Sequence, residues 1–477
     1  MSTPLPVSAS FIDGVSCLTG QQDVPLIAPE TGTMIGMLRE SGAPGVEEAV
    51  SSARQAFAGV RLAPTHQRVG WLQACARALT GAAEDIAQII CEDVGKPIRL
   101  ARFEVKRGVE FIEACAGALP QINGEVLPVD STSPGAGHIG FTRHVPYGIV
   151  GGITPFNAPV NLLIQKLAPA IAAGNACIIK PAPAGTRTAL KLAALFVEAG
   201  LPKGLFNVVT GDRDTACALA AHPRVSVISF TGGTEGGDAL ARLAGAKKFI
   251  AELGSNAANI VLADARIDEA ARKIAGAAFE ASGQQCISAQ RVLVARSVLE
   301  PFLETFLAAA KALRVGSALD PTTDLGPMVH AAAADRVMVF CEDALARGAR
   351  AILEPTRQGA IVSPGIFTNV PRDARLWCEE VFGPIALVET FDTLDEALAL
   401  ANDSPFGLQG ALFTQSLPAA MRFMDDFEVG ALWINEASRF RLDLYPFGGV
   451  KRSGVGREGV RYAIEEYSQV KFIGMLP

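Results

Sequence analysis

Apolar residues in the first quarter of the chain recur with the period of a helix, and beyond position 145 they gather into short solid runs. From about Gly45 to Glu113 the spacing is helical. Val46, Ala49, Val50, Ala53, Ala56 and Phe57 share a face, and the stretch from Arg68 to Val94 repeats the pattern until Gly95-Lys96-Pro97 breaks it. The next helix carries Arg99, Arg102, Lys106 and Arg107. Spacings of three and four put the first three on one side near Glu104 and Glu110, which predicts a solvated, salt-bridged face. Residues 1–40 and 120–145 read as short extended pieces punctuated by Pro and Gly.

From Gly148 strands and helices alternate. Gly148–Ile153, Ala176–Lys180, Leu205–Val209 and Val225–Phe230 are solid apolar runs, each followed by a helical segment: from about Asn161, over Thr186–Ala199, near Thr215–Ala221, and after the loop Thr231–Gly237. Buried strands joined by helical crossovers predict an α/β protein with a doubly wound parallel sheet. Such sheets bind ligands outside the carboxyl ends of their strands, where Asn157, Lys180 and the Gly232–Gly237 loop fall. Beyond Cys286 the alternation resumes, with strands at Val292–Val294 and Ile385–Val388 and helices over Glu300–Leu313, near Ala331–Gly348 and from Leu394. A glycine-rich stretch at 446–459 leaves little room for helix. A helix at Val460–Glu466 and a strand at Gln469–Ile473 close the chain.

The 477 residues suffice for two or three domains with their own cores. A formal charge of -7 gives no general pull toward nucleic acid or anionic membrane. Nine cysteines scattered from Cys17 to Cys378 without a Cys-x-x-Cys pair point to reduced thiols in a cytosolic compartment, not to disulfides or a metal. No basic region precedes an apolar core at the N-terminus, so no signal peptide is expected. The longest apolar run, Leu167–Ile179, is broken by Pro169 and Asn175 and is too short for a membrane span.

The candidate chemistry centres on Glu252-Leu-Gly254, a loop feeding the apolar run Ile260–Leu262, and on Gly283-Gln-Gln-Cys286. A thiolate attacks a carbonyl carbon, and a nearby carboxylate can later deprotonate water. Taken singly each residue has a plainer reading. Cys286 fits a small core residue, Asn157 a turn former, Lys180 a surface cation, Glu380 a solvated acid, and the Gly232–Gly237 loop lacks the Gly-x-Gly-x-x-Gly spacing.

Together, Thr154-Pro-Phe156-Asn157, Ile179-Lys180-Pro181, Phe230-Thr-Gly-Gly233-Thr234-Glu-Gly-Gly237, Glu252-Leu-Gly254, Gly283-Gln-Gln-Cys286, Glu380-Val-Phe382 and Pro446-Phe-Gly-Gly-Val-Lys451 resemble the NAD(P)-dependent aldehyde dehydrogenase superfamily in order and spacing over nearly the whole chain. The resemblance implies that Cys286 attacks the aldehyde and that Asn157 and the Cys286 N–H form the oxyanion hole. After hydride transfer to the nicotinamide, Glu252 activates the water that releases the acid. Lys180 then matches the residue on the adenosine ribose, Glu380 and Phe382 those at the nicotinamide ribose and ring, and Gly233, Thr234 and Gly237 the pyrophosphate loop. Thr154, Phe156, Pro183 and Gly211 complete the implied cofactor set for NAD or NADP. The family architecture implies a cofactor-binding domain (1–122 and 143–254), a catalytic domain (255–455) and an oligomerisation arm (123–142 and 465–477), hence a homodimer or homotetramer.

Pro183 stands where many NAD-preferring members carry a glutamate, so NADP stays open. Ser255 replaces a common glycine and Phe156 a common tryptophan. Because Glu252 is kept, a free carboxylate rather than an acyl-CoA is the expected product. A thiol hydrolase or acyltransferase using Cys286 would need a histidine base, and none of the five histidines lies in a matching motif. A catalytically silent, structural member would lack Cys286 or Glu252. The wording around Cys286 and the sequence Arg439-Phe-Arg441-Leu-Asp443 are most similar to lactaldehyde and related small-aldehyde dehydrogenases. Arg102 and Arg107, with Arg439 and Arg441, fall in segments that the family places at the substrate mouth, which suggests an aldehyde with a polar or anionic tail. The competing readings pair these arginines with Glu104, Glu110 and Asp443, or place them at a subunit interface.

Overall fold

The structure, a computed structural model, describes residues 6–477; the first five residues of the expected cofactor domain lie outside it. Two large sheets organise the chain. The first has eight strands in the order Gly454–Val455, Lys248–Glu252, Val227–Thr231, Ile149–Thr154, Ala176–Pro181, Phe206–Val208, Ser10–Ile12, Val15–Cys17. Its five central strands run parallel, and antiparallel strands close both edges. From Ile149–Thr154 the chain steps outward on one side, then returns to place Val227–Thr231 against the opposite side of the same strand. The reversal leaves a crevice at the carboxyl ends of those two strands.

Helix Asn161–Ala173 follows strand 149–154 and is buried along its whole length, Lys166 and Pro169 included. The helices Gly42–Val60, Thr65–Gly81, Ala83–Val94 and Ile98–Ala118 account for the early helical periodicity. Helix 83–94 ends at Gly95, whose φ of 72° is left-handed. A Cβ there would lie 2.6 Å from Pro327, so the residue cannot grow.

The second sheet orders Arg350–Leu353, Gly365–Thr368, Ile385–Phe391, Arg291–Ala295, Ala258–Val261, Gln409–Phe413 and Ala431–Ile434. All but the antiparallel edge 350–353 run parallel. A separate antiparallel sheet joins Ser468–Met475, Ile139–Pro146 and Val126–Leu127.

The strand from Ile139 runs beyond residue 142 to Pro146, and Gly454–Val455 returns to the first sheet by pairing with Glu252 and Ala251. Glu252 ends a five-residue strand instead of opening a loop. That strand, Lys-Phe-Ile-Ala-Glu, has charges at both ends that hide a three-residue apolar middle. Among the described residues no helix is long and apolar enough to cross a membrane.

Candidate active site

A cavity of about 80 Å³ lies between helix 98–118, the start of helix 161–173 and the segments around Cys286 and Arg439. Asn157 and Cys286 line it, as do Gln165, Arg107, Arg439 and Arg441.

Cys286 is placed by an unusual backbone. After helix Ile267–Phe279, the residues Ala281, Ser282 and Gly283 have φ of 52°, 57° and 66°, three consecutive left-handed positions of which two carry side chains. The loop is held from several directions. Ser282 Oγ donates to the Gly326 carbonyl (2.7 Å), Ser288 Oγ bonds the Ala277 and Ala278 carbonyls, and the Val329 N–H donates to Gln284 Oε1 (3.0 Å). Gly283 presses against the backbone of Gly383 where no Cβ fits. Burial pushes the Cys286 thiol up to about 12, and Arg441 acts against that shift. Asn157 Nδ2 donates to the Gln284 carbonyl (2.9 Å), which fixes the amide beside the thiol loop. Its second N–H stays available for a developing oxyanion.

Glu252 is 2% exposed, and neither carboxylate oxygen has a hydrogen-bond partner among the described residues. Burial raises its pKa well above the usual carboxylate range, and Glu458 raises it further. Glu458 behaves oppositely. Burial alone would raise it, but Lys166 and Arg441 outweigh burial and hold it below the ordinary value. Lys166 Nζ donates to Thr231 Oγ1 (2.7 Å) and Glu458 Oε1 (3.1 Å), and Arg441 Nη2 donates to Glu458 Oε2 (3.0 Å). The proton of the pair therefore resides on Glu252.

Also on the cavity wall, Arg107 Nε donates to Asp443 (2.9 Å) and Arg439 Nη2 to Glu280 (2.9 Å). Arg441 also donates to Gln165 Oε1 (3.2 Å) and lies 3.6 Å over the Phe447 ring. Among the described residues the buried Nε–H groups of Arg439 and Arg441 have no hydrogen-bond acceptor, although Arg441 Nε lies 3.9 Å from Asp443.

Arg102 does not belong to this group. It pairs with Glu84 on the half-exposed outside of the helix. Leu100, Phe103, Glu104 and Arg107 form the cavity stripe, and the helical period turns position 102 to the opposite side. Arg99 and Lys106 pair outward likewise, with Asp324 and Glu110. Glu104 is no arginine partner. It binds Lys96 and accepts the Val160 (2.8 Å) and Asn161 (3.3 Å) N–H groups at the start of helix 161–173.

A second cavity, about 430 Å³, opens at the crevice where the first sheet reverses. It is lined by Thr154, Lys180, Pro183, Asp212, Arg213 and Gly232, among others. Lys180 forms no ion pair among the described residues, although burial presses its pKa down. A buried ammonium facing an open cleft suits ribose hydroxyls. Gly233 caps helix Thr234–Ala244, and a Cβ at Gly237 would lie 2.5 Å from Leu253, so this glycine lets helix and strand approach. Thr234 Oγ1 faces the Arg452 carbonyl. Glu380 accepts the Ser255 N–H (3.0 Å), and burial raises its carboxyl to about 7. A Cβ at Gly254 would lie 2.8 Å from that carboxylate. Phe382, itself left-handed at φ 52°, meets Phe156 edge to face at 6.0 Å. These features fit a dinucleotide. Of the expected cofactor residues, Thr154, Lys180 and Pro183 line this cavity; Phe156, Gly211, Gly233, Thr234, Gly237, Glu380 and Phe382 do not, and at Gly211 the space a side chain would take is filled by Glu40 and Thr215.

Sequence reasoning missed Lys166, Gln165 and Glu458. Lys166 had a signal, being a cation inside an otherwise apolar helix. Glu458 had none, because an acid in a glycine-rich segment reads as solvated loop.

The aldehyde dehydrogenase family profile matches residues 18–473. Over 429 residues the chain is 40% identical to the 3-sulfolactaldehyde dehydrogenase of Priestia aryabhattai, covering 90% of each. It is 37% identical to aspartate-semialdehyde dehydrogenase 1 of Pseudomonas canavaninivorans, covering 94% of this chain and 96% of the relative. Its fold superposes on the crystal structure of an NAD-dependent aldehyde dehydrogenase from Sinorhizobium meliloti with a TM-score of 0.94, at 32% identity, over 98% and 94% of the two chains. The chain belongs to the aldehyde dehydrogenase family. It is an NAD(P)-dependent oxidoreductase that converts an aldehyde to a carboxylic acid.

Proposed function

We propose that the substrate is a short aldehyde with an anionic tail, oxidised to the free acid through a thioester on Cys286. The observation that carries this reading is a small cavity lined by Cys286 and Asn157 together with Arg439 and Arg441, whose buried Nε–H groups have no hydrogen-bond acceptor among the described residues. The relatives named for sulfolactaldehyde and aspartate semialdehyde support the same class.

In the mechanism, the Cys286 thiolate adds to the carbonyl carbon, while Asn157 Nδ2 and the Cys286 N–H receive the oxyanion. When bound, the nicotinamide accepts the hydride. Lys180 would hold its adenosine ribose, the start of helix 234–244 with Gly233, Thr234 and Gly237 its pyrophosphate, and Glu380 and Phe382 the nicotinamide end, near Thr154 and Phe156. Glu252 then takes the proton of the water that cleaves the thioester. The domains are proposed as expected from the sequence, with the arm strand extended to Pro146 and Gly454–Val455 joined to the cofactor sheet. The arm exposes Val126, Val470 and Phe472, an apolar surface suited to a neighbouring subunit and hence to a dimer or tetramer.

A panel of aldehydes run with both cofactors tests the proposal. Short sulfonate or carboxylate aldehydes are expected to lead, and a preference for long aliphatic or aromatic aldehydes would overturn it. Arg439→Ala should cost the anionic substrates about 1.5–3 kcal/mol in kcat/KM and spare neutral aldehydes of equal length. Arg441→Ala should harm both, because it also strips a partner from Glu458. For the cofactor, Pro183→Glu should weaken NADP at least about tenfold more than NAD by setting a carboxylate against the 2′-phosphate. Equal effects on the two would move Pro183 away from the adenosine ribose.

A further inference from the structure

The largest of the cavities described, about 530 Å³, lies outside the catalytic and cofactor sites, where the arm meets the body of the protein. Arg61 and Arg68 reach it from the end of helix 42–60 and from helix 65–81. Arg143 and Lys471 reach it from the arm strands 139–146 and 468–475. Among the described residues no aspartate or glutamate lines it. Among the described residues none of these four cations forms an ion pair, in a protein where most arginines do. His144, also at the wall, is engaged with Ser468 (3.0 Å).

Two further observations point the same way. Arg143 and Lys471 are direct cross-strand partners, so the arm places two like charges opposite each other. Such a pair destabilises a sheet unless a counter-charge sits against it. Arg68 spends its two terminal nitrogens on the Ala172 carbonyl and Thr65 Oγ1, yet its buried Nε–H has no acceptor among the described residues. Phe57, Val60 and Leu62 supply an apolar wall. Convergent cations, an unpaired buried donor and an apolar side make an organic-anion site, and its volume lies in the range of ligand pockets, about 300–1,000 Å³.

We propose that this cavity binds a small organic anion with two or more negative charges, a phosphate ester or a polycarboxylate, which clamps the arm to the body. The test uses the full-length protein saturated with NAD+, so that the dinucleotide site is closed to the probe. Inorganic pyrophosphate and citrate are titrated separately at constant ionic strength and followed by calorimetry and thermal unfolding. At least one should bind saturably, with Kd below about 1 mM, and raise Tm. Arg143→Gln combined with Lys471→Gln should weaken that binding at least tenfold and leave NAD+ affinity unchanged. Arg61→Gln, an exposed single change at a helix end, should weaken it less and guards against misfolding of the double variant. Preference for pyrophosphate assigns a phosphate ligand and preference for citrate a carboxylate; either upholds the proposal. Absence of saturable binding, or binding unaltered in both variants, overturns it. So does loss of oligomeric mass in the variants without anion binding, since the cations would then face a neighbouring subunit's carboxylates.

Discussion

Cys286→Ser should bind NAD(P) and unfold like the parent protein, yet lose about 10⁴-fold in kcat/KM, ~5 kcal/mol of transition-state stabilisation. The two side chains are close in size, so the strained Ala281–Gly283 backbone and its Gly326 and Val329 contacts should persist. What is lost is chemical. The half-buried thiol already resists ionisation, its pKa pushed up to about 12 by desolvation, and only Arg441 favours the anion. An alcohol in the same place is a far weaker acid and a poorer nucleophile, and its acyl ester would be a worse intermediate to cleave. Eight other cysteines provide the control: Cys75, Cys91, Cys115, Cys177 and Cys341 are buried in the core, Cys17 and Cys378 line neither the catalytic nor the cofactor cavity, and Cys217 lines only the cofactor cavity. The check is NAD(P)H formation with the best aldehyde of the panel. Turnover within tenfold of the parent would remove Cys286 from the mechanism.

The parts of this site legible in sequence are those whose local chain carries its own signature. Strands 149–154 and 176–181 are solid apolar runs, and that pattern alone puts Asn157 and Lys180 at strand ends. Gly283 likewise marks the loop that ends at Cys286. Other features depend on contacts far along the chain. Glu252 reads as a loop residue until Gly454 is seen pairing with it. Glu458 gains its role from Lys166, nearly three hundred positions away, and from Arg441. Arg102 is misplaced for a different reason. Its segment does border the cavity, but a helix 21 residues long presents several faces, and only the stripe through Leu100 and Arg107 meets the cavity. A spacing of five already turns Arg102 and Arg107 in different directions, and a shared charge says nothing about direction. A glycine after a strand, such as Gly211, marks a sharp turn whether or not a ligand lies beyond it.

Glu252→Gln should separate the two halves of the reaction. Acyl transfer to Cys286 needs no water-activating base, so a first turnover of NAD(P)H should survive, while steady-state hydrolysis falls about 10²–10⁴-fold. The parent enzyme's hydrolytic step should accelerate as pH is raised, because Glu252 starts protonated and becomes a base only as pH passes its elevated pKa. The variant should lose that rise. Stability offers a second reading with the opposite sign. Between the ordinary carboxylate value near 4.5 and the raised folded value, the native state holds a proton that the unfolded chain has released. Stability contributed by the neutral carboxyl is therefore full at low pH and is lost as pH climbs through that window. Glutamine, neutral throughout, should remove this slope, so the variant should gain in Tm relative to the parent as pH increases. Glu458 should not mask the effect, since Lys166 and Arg441 keep it ionised across the range. A Gln variant that hydrolyses at the parental rate, with the parental pH profile, would assign water activation to another group. A burst that vanishes together with turnover would instead show that Glu252 is needed to take the proton of the Cys286 thiol.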